Sequence, residues 1–148
     1  MRPISIARGF SLIEAVVVLV VAGILFAIAA PIFTDSEAKA GYFYDQVKSS
    51  VRYAQRQAIA QRRCVFVSVT ATQVSLLYGD ATCTATGPAV ADFATNGAYV
   101  VTAPAGVAIT PPAPAQFSFN GLGQPSAAVA FSVGSQVITV EAESGYVH

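Results

Sequence analysis

Charge is scarce in this chain. Only 11% of its 148 residues are charged, eight Lys and Arg against eight Asp and Glu. That balance gives no basic excess of the kind that draws a protein onto nucleic acid. There is one histidine, His148, and there are two cysteines, Cys64 and Cys83. So few ligands provide no zinc-finger spacing, and no metal or cofactor is expected. No Lys or Arg follows Arg63. Catalytic sets are missing as well. His148 ends the sequence and reads as an exposed, frayed terminus. Asp80 and Asp92 fall in polar stretches, and Glu141 and Glu143 alternate, so nothing pairs them for acid–base work. The residues therefore give no reason to expect an enzyme. Apolar residues, by contrast, make up 54%. That excludes a disordered or collagen-like chain, and the length suits one ordinary domain.

The apolar excess is concentrated near the start. Met1 to Gly9 is short and carries Arg2 and Arg8 with no acid. Phe10 to Phe33 is then 24 residues, interrupted by Ser11, Glu14 and Pro31. A helix of about 20 residues crosses a hydrocarbon core of roughly 30 Å, so the run is long enough to span. Basic residues on its N-terminal side place Met1 in the cytoplasm and the remainder outside. A cleaved secretory signal is the rival reading, with Ala27, Ala29 and Ala30 imitating its small-residue site. The run exceeds the usual h-region of about 7–15 residues, and a signal has no use for Glu14. Glu14 itself has two readings. One is a headgroup-level carboxylate near the positive end of the helix dipole. The other is a carboxylate that awaits a cationic partner.

Arg8-Gly9-Phe10-Ser11-Leu12-Ile13-Glu14, followed by the apolar run, resembles the class III signal of type IV pilins and type II secretion pseudopilins. Pro31 stands where that family commonly kinks its helix. The resemblance is strong over Met1 to about Ile32. It implies cleavage after Gly9 by a prepilin peptidase, then N-methylation of Phe10. It also implies that Glu14 neutralises the N-terminal ammonium of a neighbouring subunit during assembly. An unpaired charge in an apolar bundle is heavily penalised, so the implied pairing is physically sound.

Beyond Pro31, Thr34-Asp35-Ser36-Glu37 reads as a renewed helix cap. Phe43, Val47, Val51, Ala54, Ala58 and Ile59 recur at helical spacing and form one apolar face. Lys48, Arg52 and Arg56 lie on the other. A single bent helix from Phe10 to about Arg63 would be about 80 Å long. Tyr42, Phe43, Tyr44 and Tyr53 are read as packing residues. At Cys64 the pattern changes to alternation. Cys64–Thr70 and Val74–Tyr78 form a hairpin. Asp80 to Gly97 reads as polar loop. Tyr99–Thr102, Val107–Thr110, Phe117–Phe119, Ala128–Val133 and Gln136–Ala142 are further strand candidates, and Gly145–His148 adds a short last one. The fold class is α+β: a long N-terminal helix packed on an antiparallel sheet of about six strands, the type IV pilin fold.

Tyr53 to Ile59, Arg62, Arg63 and the valine-rich strand after them resemble H-type minor pilins and pseudopilins. So do Phe119, Gly121, Gly123, Gln124-Pro125, Ile138 and Val140. The close, Glu141 to Val147, most resembles minor pilins of mannose-sensitive haemagglutinin systems. With the head in the periplasm, where disulfides form, Cys64 and Cys83 are placed to bond. Closing a loop of about 20 residues stabilises by roughly 3 kcal/mol. The alternative is two buried thiols. Some H-type minor pilins bind DNA through an arginine-bearing C-terminal region, which is missing here, so nucleic acid is not an expected partner.

The organisation expected is a leader at 1–9, a transmembrane and filament-core helix at 10–33, its amphipathic continuation at 34–63, and a periplasmic head at 64–148. The function implied is that of a low-abundance minor pilin that assembles into, or primes, a type IV pilus. The alternatives are an H-type pseudopilin of type II secretion and a DNA-binding minor pilin. The implied partners are the prepilin peptidase, other pilin subunits, an inner-membrane assembly platform, and membrane lipid before assembly. The implied location is the bacterial inner membrane, then the filament.

Overall fold

A computed structural model describes residues 11–29, 36–80 and 82–148. It divides the chain into two compact units, Met1–Asp35 and Ser36–His148. In the first, α1 spans Leu12–Ala29. Its side chains from Leu12 to Ala27 are all exposed, and of the large apolar ones Leu12 and Phe26 are the most so, at 83% and 78%. Among the described residues no helix is long and apolar enough to cross a membrane. The 18 residues of α1 rise about 27 Å, just short of a hydrocarbon core. The expected span, 10–33, runs past both ends of α1 into residues outside those described. Pro31 is one of them.

The second unit starts with α2, Ser36–Gln61. Phe43, Val47, Val51, Ala54 and Ala58 are fully buried at steps of four, four, three and four, as the spacing predicts. Each valine so buried contributes on the order of 2 kcal/mol. Ile59 departs from the expected face and is 47% exposed. It lies one residue beyond Ala58, about 100° round the helix, at the rim of the buried face and beside Gly123.

α2 packs on β1, Val65–Val69, which pairs antiparallel with β2, Gln73–Gly79. The hairpin register sets Val65 opposite Tyr78 and Val69 opposite Val74. Gly79 is required at its end, because a Cβ there would press on the Phe66 ring and on Cys64. The far side of β2 holds β3, Thr86–Ala89, and β4, Val100–Thr102. After β5, Ile109–Thr110, comes β6, Gln116–Phe119, on the other side of β1. A second sheet joins β5 to β7, Val129–Val133, and β7 to β8, Gln136–Val140. Gly134, at φ 58°, makes the two-residue turn between them.

The α+β architecture is as the sequence predicts, but the sheet differs in detail. Among the described residues there are eight strands in two sheets rather than about six in one. β3 falls inside the stretch expected to be loop. Gly87-Pro88 hides it, yet an edge strand tolerates proline. The C-terminus is not frayed: His148 and Thr139 exchange backbone hydrogen bonds at 3.0 and 2.9 Å. One core unites both sheets and α2, with Phe119, Leu76 and Ile138 among its largest fully buried side chains.

Candidate functional site

The start of α1 is a capped helix terminus. Ser11 Oγ accepts the Glu14 N–H at 3.2 Å, and Ser11 O accepts the Ala15 N–H at 3.1 Å. That satisfies donors the first turn otherwise leaves open. Glu14 stands in this first turn, exposed, where the helix dipole favours an acid. Gly9, Phe10 and Pro31 lie outside the described residues.

Cys64 and Cys83 are joined as a disulfide, their Cα atoms 5.5 Å apart. The bond closes a loop around Asp80. Both Thr82 and Thr84 hydroxyls donate to Asp80 Oδ2, and the Thr84 and Ala85 N–H groups donate to Oδ1. Those donors, the Thr82 hydroxyl first, hold the carboxyl well below the usual carboxylate range. Asp92 serves its own turn in the same way, accepting from Ala94 N–H and Thr95 Oγ1. The two acids order separate loops.

The basic residues of α2 are largely spoken for. Arg52 donates to Val147 O at 2.8 Å, and Arg63 donates to Gly79 O at 2.9 Å while covering the Tyr78 ring at 4.3 Å. Lys48 sits 5.4 Å from the centre of the Tyr44 ring. Arg52 and Arg63 tie the helix end to the head, while Lys48 stays over Tyr44 of its own helix. Of the four aromatic residues expected to pack, Phe43 is fully buried, and Tyr44 and Tyr53 are half-buried. Tyr42 is 74% exposed and does not pack. Tyr53 stacks on Tyr99 at 5.2 Å, and burial pushes its hydroxyl pKa up.

The least expected feature is a seam along the last turns of α2. Gln55 Nε2 donates to Gly123 O at 2.9 Å and Ser144 O at 3.1 Å. Gly123, at φ 84°, leaves room for Ile59, and Gly121 sits against the backbone of Arg62. Gly145, at φ 66°, closes on Gly123 O and Phe119. The dispersed C-terminal residues thus meet in one place, against one helix. The resemblance marks Tyr53 to Ile59 and the C-terminal series separately, and the fold shows that Gln55 joins them. Among the described residues, no group of three His, Cys, Asp or Glu side chains is placed to hold a metal ion. His148 stacks on Tyr146 and lies 3.8 Å from Glu141, whose other oxygen accepts from the Ser144 hydroxyl at 3.2 Å, all of it on the exposed surface.

Residues 4–30 match the prokaryotic N-terminal methylation motif. Residues 45–146, most of the chain, match the family of the type II transport protein GspH. The chain belongs to the GspH family of type IV pilins and pseudopilins. Members of this family are structural subunits that assemble with other pilins, not enzymes. The fold agrees. The Pseudomonas aeruginosa type IV minor pilin FimU is similar at a TM-score of 0.50 and 12% identity, over 76% of this chain and 85% of that one. The Vibrio cholerae minor pseudopilin EpsH is similar at 0.54 and 14%, over 74% and 94%. No curated protein sequence matches the chain. The GspH match spans the residues of the seam, Gln55 to Gly145.

Proposed function

We propose that this GspH-family chain is a minor pilin, cleaved after Gly9 and methylated at Phe10, which assembles into or primes a type IV pilus. The observation that carries the reading is α1. It is apolar along its length and exposed on every side, with one carboxylate in its first turn. A helix apolar all round needs an apolar surrounding. Lipid serves before assembly and the helices of other subunits serve after it. Within such a bundle Glu14 pairs with the Phe10 ammonium of a neighbour, and each charge offsets the desolvation of the other. On this reading residues 1–9 are the leader, 10–33 the membrane and core helix, 34–63 its continuation and 64–148 the periplasmic head. The prepilin peptidase and an inner-membrane platform are the further partners.

The GspH match supports a second reading, an H-type pseudopilin of a type II secretion system. DNA binding gains no such support, since no Lys or Arg follows Arg63.

Glu14→Val tests the proposal. It keeps the backbone N–H that Ser11 caps, and so removes the carboxylate alone. The variant should be cleaved, remain in the membrane fraction and vanish from sheared filaments. A broken buried pair costs on the order of 3–5 kcal/mol, enough to exclude a subunit. Normal incorporation would overturn the pairing role. Complementation of pilus-less and secretion-deficient strains separates the two machines.

A further inference from the structure

The turns beside the start of α2 carry no charge. Ala103-Pro104-Ala105-Gly106-Val107-Ala108, between β4 and β5, holds not one polar side chain. The Val107 N–H bonds Pro104 O at 3.1 Å, and Gly106, at φ 87°, makes the left-handed corner. The Gly134 N–H bonds Ala108 O at 3.0 Å and ties this turn to the one between β7 and β8. Gly134 also stands against α2, where a Cβ on it would sit 3.4 Å from that of Ala40. Ala40, Gly41, Gly106, Val107, Gly134 and Ser135 share one open hollow. Ala105, Gly106, Ala108 and Ser135 are exposed. So are Val137 in β8, at 56%, and Tyr42 on α2, at 74%.

A turn in water commonly uses Asn, Asp or Ser, whose side chains bond the local backbone. Elsewhere in this head Asp80, Asp92 and Asn120 each order a turn in that way. The turn at Ala105 departs from the pattern, and from Phe93 to Val140 no residue is charged. The charges nearest the hollow belong to α2. They are Glu37, which lines it, and Lys39 two residues on, opposite in sign.

Connectivity points to what covers this face. The proposed span ends at Phe33, and α2 begins at Ser36, three residues later. Three residues reach at most about 11 Å when fully extended. From Ser36 to Ala40 the helix rises only about 6 Å. An anchored chain therefore holds these turns within reach of the lipid headgroups. An uncharged apolar turn with a tyrosine near it suits that interface. The contact is small, but tethering makes it intramolecular, so a weak intrinsic affinity is enough.

We infer that the turns at Ala105 and Ser135 rest on the lipid surface while the subunit is held in the membrane, and leave it on assembly. The inference rests on the proposed span at 10–33 and not on which machine is served.

The test uses the full-length chain in vesicles of equal amounts of phosphatidylcholine and phosphatidylglycerol. Cys64 and Cys83 are bonded to each other, so one added cysteine takes a nitroxide label alone. The label is placed at Ser135→Cys, or at Leu122→Cys as a distant control. Leu122 lies beside Ile59, about 28 Å further along α2 than Ala40. Power-saturation EPR compares collisions with oxygen, which concentrates in lipid, and with a water-soluble nickel chelate. The label at 135 should favour oxygen and lose most of its nickel collisions, and the label at 122 should do neither. Ala105→Glu in the Ser135→Cys chain should return position 135 to the values at 122, because the anionic surface repels a carboxylate. Ala105→Lys alters the turn as much and should keep the lipid signal. Flotation of the same samples reads the anchor separately. A chain that floats with its vesicles but shows equal accessibility at 135 and 122 would overturn the inference and leave the span standing. A lipid signal that survives Ala105→Glu, or that both substitutions abolish, would also overturn it. A chain that does not float would overturn the span and the inference together.

Discussion

Gln55 and Gly123 are bound across the boundary between helix and sheet: the Gln55 side-chain amide donates to the Gly123 carbonyl at 2.9 Å. The same amide reaches Ser144, and Gly145 packs against both ends of the link. Gln55→Ala should destabilise the chain by about 1–3 kcal/mol, because two carbonyls lose their donor. Gly145→Ala should cost at least as much. It forces a Cβ against Gly123 O at a positive φ. Urea unfolding of the full chain measures both. A neutral Gly145→Ala would contradict the packing described.

The Cys64–Cys83 bond closes a loop at a sequence separation of 19. Replacing both cysteines with alanine should lower stability by about 3 kcal/mol. Free-thiol titration of the unfolded, unreduced protein should find no thiol. Two thiols per chain would refute the bond.

Asp80 makes the acid side of the stability curve informative. Its folded pKa is depressed below the ordinary 3.8 by the Thr82, Thr84 and Ala85 donors. Its contribution is therefore complete above pH 3.8 and drains away as pH falls from there through the folded value. Asp80→Asn should flatten that acid limb and speed amide exchange at Thr84 and Ala85. An unchanged limb would mean that the loop does not depend on the charge.

Much of this was legible from periodicity. Phe43, Val47, Val51, Ala54 and Ala58 mark the buried face of α2 through spacing alone. The β1–β2 and β7–β8 hairpins follow from alternation and turn residues. What was hidden depends on pairing at a distance. β3 carries Gly87-Pro88 and buries nothing, so only its partner β2 makes it a strand. His148 looks like a loose end until Thr139 is set beside it. The proposed processing residues, Gly9 and Phe10, rest on local order within the stretch that matches the N-terminal methylation motif.

The central claim is that the chain is a processed assembly subunit, and the N-terminus of the mature protein tests it most directly. The chain should be expressed with a prepilin peptidase, recovered from the membrane fraction and analysed by intact and N-terminal mass spectrometry. The account predicts loss of residues 1–9 and an N-terminal Phe10 bearing one methyl group, with Gly9→Leu blocking removal. An intact Met1 terminus, or a cut after Ala29 or Ala30, would contradict it.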